Sequence, residues 1–260
     1  MGGTRVRRRE RFVVASILLS LGLFVVQLVN LDYRVWAVVG LGFASYFLSA
    51  WALLEDLQPF EWFTVLPFPV MYAISVGFFY FLLPTNIVSR ILVLTIFGVG
   101  MYALFLTSNI FSVAKGKAIQ LIHAAHAIGL LFTLFTSLLL TNTVFSFRMP
   151  FYMNGLMVAA IHFPLIMMSL WSVNLEQKIT KQIVGFSALL TLVLAELTIG
   201  LSFLPISVWN LALLTMAVLY IGLGILQNYL RGILFSNAIR EYSLVAGLVG
   251  AIFLMLFPLK

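Results

Sequence analysis

Cysteine is absent from this chain and charge is scarce. Without a thiol there is no disulfide, no thiolate nucleophile and no cysteine-held zinc or iron–sulfur cluster. Only 9% of the 260 residues are charged, against about 25% in a soluble domain, so a soluble core is excluded. No N-x-S/T sequon occurs, which favours a bacterial or archaeal plasma membrane. The chain also lacks G-x-x-x-x-G-K, G-x-S-x-G, H-E-x-x-H and any paired acidic motif of the prenyltransferase kind. Internal repeats, low-complexity tracts and Ser/Gly linkers are missing too, and no inverted-repeat transporter signature is visible.

What fills the chain instead is apolar. Hydrophobic residues make up 63% of it, gathered into nine long runs with the charges in the gaps between them. Only structures that close their own backbone hydrogen bonds survive in hydrocarbon. The expected fold is therefore all-α, a polytopic transmembrane helix bundle of about nine spans in a single membrane domain over 1–260. The spans read as 12–30, 35–54, 62–83, 87–113, 118–146, 151–173, 183–204, 206–230 and 242–259. At about 20 residues per span they leave no room for a soluble domain. The basic stretch Thr4 to Arg11 precedes Phe12 to Val29, which is longer than a signal-peptide core and lacks a small-x-small site, so the first span is read as uncleaved.

The net charge of +7 is distributed for topology and for anionic lipid headgroups, not for nucleic acid. With the N-terminus cytoplasmic, Arg5, Arg7, Arg8, Arg9, Arg11, Lys115, Lys117, Lys178, Lys181, Arg231 and Arg240 share the inner side. Arg34, Arg90, Arg148 and Lys260 fall outside, which satisfies the positive-inside rule. Glu55, Asp56 and Glu61 in the second gap run against it, but acids weigh little there. Trp36, Trp51, Trp62, Trp171 and Trp209 all fall near span ends, where tryptophan prefers the headgroup level. Two stretches, Leu57 to Phe63 and Asn228 to Tyr242, mix apolar and charged residues and read as amphipathic segments at the interface. Small residues at Gly42, Ser45 and Ser49, and at Ala246, Gly247, Gly250 and Ala251, read as helix-packing faces.

Polar residues inside the spans mark the candidate site. Glu196 lies about 12 Å deep from the outer end of the seventh span at 1.5 Å per residue. A charge at the bilayer centre costs at least about 2.5–3.5 kcal/mol, so the side chain faces protein or water, is held neutral, or is paired. Gly185 and Gly200 share its face and leave room for another helix, water or a solute to approach. On the fifth span His123, His126, Thr133, Ser137 and Thr141 fall within about an 80° sector at 100° per residue. That stripe is either the lining of a path or a set of interhelical and self-helix hydrogen bonds. His162, mid-span on the sixth, sits at similar depth to His126, and Pro164 frees the carbonyl of Ala160 beside it. Three histidines admit a metal or haem reading, but no carboxylate stands at ligand spacing, so neither a metal nor a cofactor is expected. Arg90 snorkels outward or reaches toward Glu196.

Three functional readings follow. The first is a transporter- or permease-like protein that handles a small or amphiphilic solute through Glu196, His123, His126, His162, Thr133 and Ser137. The second is a non-catalytic membrane subunit or scaffold that holds membrane-protein partners. The third is an intramembrane haem, metal or lipid-modifying protein. Sparse charge and short loops argue against hydrolysis, which needs water, a nucleophile and a base together.

Overall fold

The computed structural model describes residues 8–55, 57–84, 86–114, 121–176, 178–233 and 236–256. The cations Arg5, Arg7, Lys115, Lys117 and Lys260, and the outermost residues of the fifth and ninth expected spans, lie outside them. Among the described residues the chain is all-α. In order it forms α1 (Arg8–Val26), a 3-10 turn (Leu31–Tyr33), α2 (Arg34–Leu53), α3 (Glu61–Thr64) and α4 (Pro67–Tyr80). There follow α5 (Ile87–Val113), α6 (Leu121–Ser146), α7 (Phe151–Asn174), α8 (Lys181–Leu201), α9 (Val208–Leu230) and α10 (Ser236–Leu256).

Seven segments are long and apolar enough to cross a membrane: α2, α3 with α4 taken together, and α5 through α9. The protein is thus a multi-pass membrane protein. Two of the nine expected spans are outside that set. α1 opens on Arg8, Arg9, Glu10 and Arg11, and α10 carries Arg240 and Glu241 in its second turn. The third span is broken where the prolines fall: α3 ends at Thr64 and Pro67 begins α4, since proline lacks the amide that a helix interior needs but fits a helix start. Glu61 and Thr64 of α3 are buried. Of the stretch after Asn228, the end of α9, a turn at Gly232 with φ +69° and, from Ser236, the first turns of α10 are described.

Side-chain caps set several starts. Asn86 accepts from the Ser89 amide at 2.6 Å, Thr180 from Ile183 at 3.4 Å and Ser207 from Asn210 at 3.4 Å, each satisfying a first-turn donor. α7 ends on Leu175 in the left-handed region at φ 50°. The Trp171 indole donates to the Glu176 carbonyl at 3.0 Å and ties that end down. Trp171 is buried, whereas Trp36, Trp51 and Trp209 are exposed.

By its contacts the chain divides into two compact units, Met1–Phe132 and Thr133–Lys260, with the boundary inside α6; the sequence alone reads as one domain. In the first unit α2 packs on α1, α4 and α5, and α5 also packs on α1 and α4. The Arg11 guanidinium meets Glu55 at 2.7 Å, so the start of α1 and the end of α2 lie on one side, as antiparallel neighbours require. In the second unit α8 packs along α7, and α9 contacts α7, α8 and α10. Large apolar side chains also cover the perimeter. On α1, Ile17, Leu21 and Val25 are exposed while Leu19, Leu23 and Val26 are buried. Such a surface is far larger than a soluble monomer tolerates and fits hydrocarbon.

Helix contacts are set by small residues. A Cβ at Gly155 would stand 2.7 Å from Ile199 Cγ1 and 3.3 Å from the Ala195 carbonyl, so α7 and α8 touch there. A Cβ at Gly42 would stand 2.9 Å from Ile74, which bears out the α2 packing face. On α10, Gly247 and Gly250 meet nothing within 4 Å, so the face expected there is turned outward. Gly155→Leu is expected to destabilise the protein by about 1–3 kcal/mol through overpacking. Gly40→Leu, where a Cβ meets nothing within 4 Å, is expected to be neutral or slightly stabilising because glycine is a poor helix former. Thermal unfolding in detergent measures both, and equal midpoints for the two variants would refute the close approach at Gly155.

Candidate functional site

The best-defined polar contact in the second unit joins α6 to α7. Ser137 Oγ lies 2.7 Å from His162 Nε2, and His162 Nδ1 lies 2.9 Å from the Val158 carbonyl. A carbonyl oxygen only accepts, so Nδ1 carries hydrogen. In the uncharged ring Nε2 then accepts, and the Ser137 hydroxyl donates to it. Both side chains are fully buried. The arrangement has the outline of a nucleophile and its base, but neither residue lines a described groove and the third partner is a backbone carbonyl. Each ring nitrogen is occupied by its own helix or the neighbouring one, which makes the pair a lock between two helices.

The other candidates are placed as follows. Thr133 is buried on α6 one turn from Ser137. His126 is half-buried beside Phe111, with ring centroids 5.6 Å apart, and His123 is exposed. Among the described residues no three histidine or carboxylate side chains are grouped to hold a metal.

Glu196 is exposed on α8. The reason is its helical phase. α8 buries Ile183, Ser187, Leu190, Thr191, Leu194, Thr198 and Leu201. Glu196, two residues from both Leu194 and Thr198, is rotated about 200° from each and points the opposite way. α8 also ends at Leu201, which leaves Glu196 about 7.5 Å below that end, shallower than the sequence suggests.

Several further contacts join helices away from the six candidate residues. Asn154 Nδ2 donates to Ser202 Oγ at 3.1 Å, clipping α7 to α8. Gln227 Nε2 donates to Ser169 Oγ at 2.9 Å, clipping α9 to α7. Arg90 Nε donates to the Tyr80 hydroxyl at 3.1 Å, joining α5 to α4 where the sequence offered Glu196 as partner. Glu61 accepts from the Gln58 amide at 2.8 Å. Several other buried hydroxyls bond their own helix four residues back, as Thr143 does to Leu139 and Thr198 to Leu194, both at 2.8 Å. Thr136, Thr141 and Thr191 are buried hydroxyls without a hydrogen-bond partner. Grooves described between α1 and α5, α2 and α4, and α9 and α10 are lined mainly by apolar side chains and hold none of the six candidate residues.

Set beside known proteins, residues 35–256 match one family model, described as a protein of unknown function, DUF5656. The chain belongs to the DUF5656 family. The match runs from α2 to α10, so it takes in both Ser137–His162 and Glu196 and leaves α1 outside. No curated protein and no solved structure matches the chain.

In this DUF5656 protein, Ser137→Ala should leave a buried acceptor on His162 unmet, at a cost of about 1–3 kcal/mol. Ser137→Ala with His162→Leu should cost clearly less than the two singles combined, with a coupling of at least about 0.5 kcal/mol. A double-mutant cycle on thermal or denaturant unfolding measures this. Additive singles would show that the two side chains do not share a bond.

Proposed function

We propose that this protein is a non-catalytic membrane subunit that holds a partner transmembrane helix against the outward face of α8. One observation carries this reading: Glu196 lies exposed on that face, with no hydrogen bond or ion pair among the described residues. Its Cα–Cβ bond tilts toward the helix N-terminus, away from the nearer surface, so it snorkels poorly. A carboxyl in hydrocarbon is costly unless met by a donor or cation. Gly185, Leu189, Leu192 and Glu196 follow a four-three-four spacing, with Gly200 one turn beyond, and all are exposed. That is the seam of a left-handed helix pair, in which one polar residue fixes register. A Cβ at Gly185 or Gly200 meets nothing within 4 Å, so a second helix can come close.

A permease-like role for a small or amphiphilic solute is the other reading, and it has less support. It needs a polar path, whereas the described grooves are apolar and the central histidine is committed to helix contacts. The same proposal places the protein in a bacterial or archaeal plasma membrane with its N-terminus in the cytoplasm, on the strength of the charge distribution. Alkaline phosphatase fused after Pro84 is then expected to be active and after Glu176 inactive; the reverse pattern overturns the orientation.

A photo-crosslinking residue at Leu192, used in native membranes, is expected to give a discrete adduct. That adduct should persist in Glu196→Gln, which keeps a hydrogen-bonding amide, and disappear in Glu196→Leu and Gly200→Leu. The isolated chain's stability should change by less than about 0.5 kcal/mol in Glu196→Leu. An adduct no stronger than one from Leu18 on α1, or one indifferent to Glu196→Leu, overturns the subunit reading. Solute flux in proteoliposomes that falls in Glu196→Gln would favour the permease instead.

A further inference from the structure

The groove between α1 and α5 goes beyond the α8 face and belongs to the other unit. It encloses about 620 Å³ and is lined by Val13, Ser16, Ile17, Ser20, Leu21 and Phe24 of α1 with Leu94, Gly98, Val99 and Tyr102 of α5. Two serines in an apolar groove are explained by their bonds. Ser16 Oγ donates to the Phe12 carbonyl at 2.7 Å and Ser20 Oγ to the Ser16 carbonyl at 2.8 Å, so neither offers a free donor to an occupant. The close approach at Gly98, where a Cβ would stand 2.8 Å from Ser20 Oγ, forms the floor.

The length and the mouth of the groove identify what fits it. From Val13 to Phe24 it extends about 16 Å along α1 at 1.5 Å per residue, close to one leaflet of a hydrocarbon core about 30 Å thick. Arg9 is exposed and stands one turn before Val13 on the same side of α1, at the end nearest the chain's basic start. The Phe12–Phe105 contact, with ring centroids 6.2 Å apart, and the Ser20–Gly98 contact set α1 and α5 in one antiparallel register. That register brings Asn109, two turns beyond Tyr102 on α5, level with Arg9. The groove thus runs one acyl chain deep and ends at a cation.

We infer that this groove binds one anionic glycerophospholipid, an acyl chain lying between α1 and α5 and the phosphate on Arg9. The apolar lining selects the chain, and the guanidinium selects the charge of the headgroup. This gives α1, which lies before the family match, a role as half of a lipid site.

The test is native mass spectrometry of the delipidated full chain titrated with dioleoyl phosphatidylglycerol or dioleoyl phosphatidylcholine. The wild type is expected to take up one phosphatidylglycerol about five-fold more tightly than phosphatidylcholine, the worth of one arginine at an anionic surface. Arg9→Glu should abolish that preference. Val99→Trp, at a position 66% exposed, should fill the groove and remove the tight uptake step; thermal unfolding confirms that it folds. Leu248→Trp on the exposed side of α10 should leave binding unchanged. Equal affinity for the two lipids in the wild type, a preference that survives Arg9→Glu, or a tight step that survives Val99→Trp each overturns the site.

Discussion

Hydrocarbon offers a polar group nothing to bond with, and the arrangement of this chain follows from that. Backbone amides close within helices. Some hydroxyls inside the spans fold back on their own carbonyls, as Ser16, Thr107, Ser187 and Thr215 do, which removes a donor without needing a neighbour. Side chains too long or too polar to fold back find a partner on the next helix, as Asn154, Gln227 and His162 do. Charges are pushed to the ends, where Arg11 and Glu55 meet across the α1–α2 hairpin.

The same solvent weakens the usual reason for helices to associate. Lipid tails are as apolar as leucine, so contact is decided by shape and by the few interhelical hydrogen bonds. Gly42, Gly77 and Gly155 are where neighbouring side chains enter the space a Cβ would take. Gly40, Gly185, Gly200, Gly247 and Gly250 have nothing within 4 Å, so a glycine in these helices does not by itself mark a contact. On α2 Gly42 lies among Val38, Leu41, Ser45 and Ser49, all buried, and packs. On α8 Gly185 and Gly200 lie off the buried stripe, and do not.

That difference explains what could be read from the sequence. Fold class and the positions of most spans were legible because each span needs about 20 apolar residues whatever its neighbours are. Helix starts at Ser207 and Pro67 were legible in principle from capping and proline rules, yet long apolar runs obscured them. The face each helix turns inward was less legible, because in a membrane the outward face is as hydrophobic as the inward one and periodicity carries little signal. Glu196 shows the consequence. Its depth and its glycine neighbours were visible, but the buried stripe on the opposite face carries only the small hydroxyls Ser187, Thr191 and Thr198 among its apolar residues and gave no clear warning. On α6, by contrast, hydroxyls and histidines concentrated on one sector, and Ser137 proved to be part of an interior contact. A stripe of polar groups points inward because each member adds to the same penalty; a single acid does not outweigh a whole apolar face.

Where a ligand or partner can act then depends on which polar groups still have capacity. His162 has both ring nitrogens engaged, so taking a proton or a metal there means breaking either its bond to α6 or its bond to its own helix. The unpartnered hydroxyls of Thr136, Thr141 and Thr191 are neutral and single, able to hold a water but not to fix a charged solute. Glu196 is different: it can accept or donate, it is reached from the membrane without disturbing any contact described, and it lies between two glycines that admit a backbone. Interior polar groups of the second unit such as His162, Asn154 and Gln227 are thus engaged in joining its helices, whereas Glu196 stands on an exposed face.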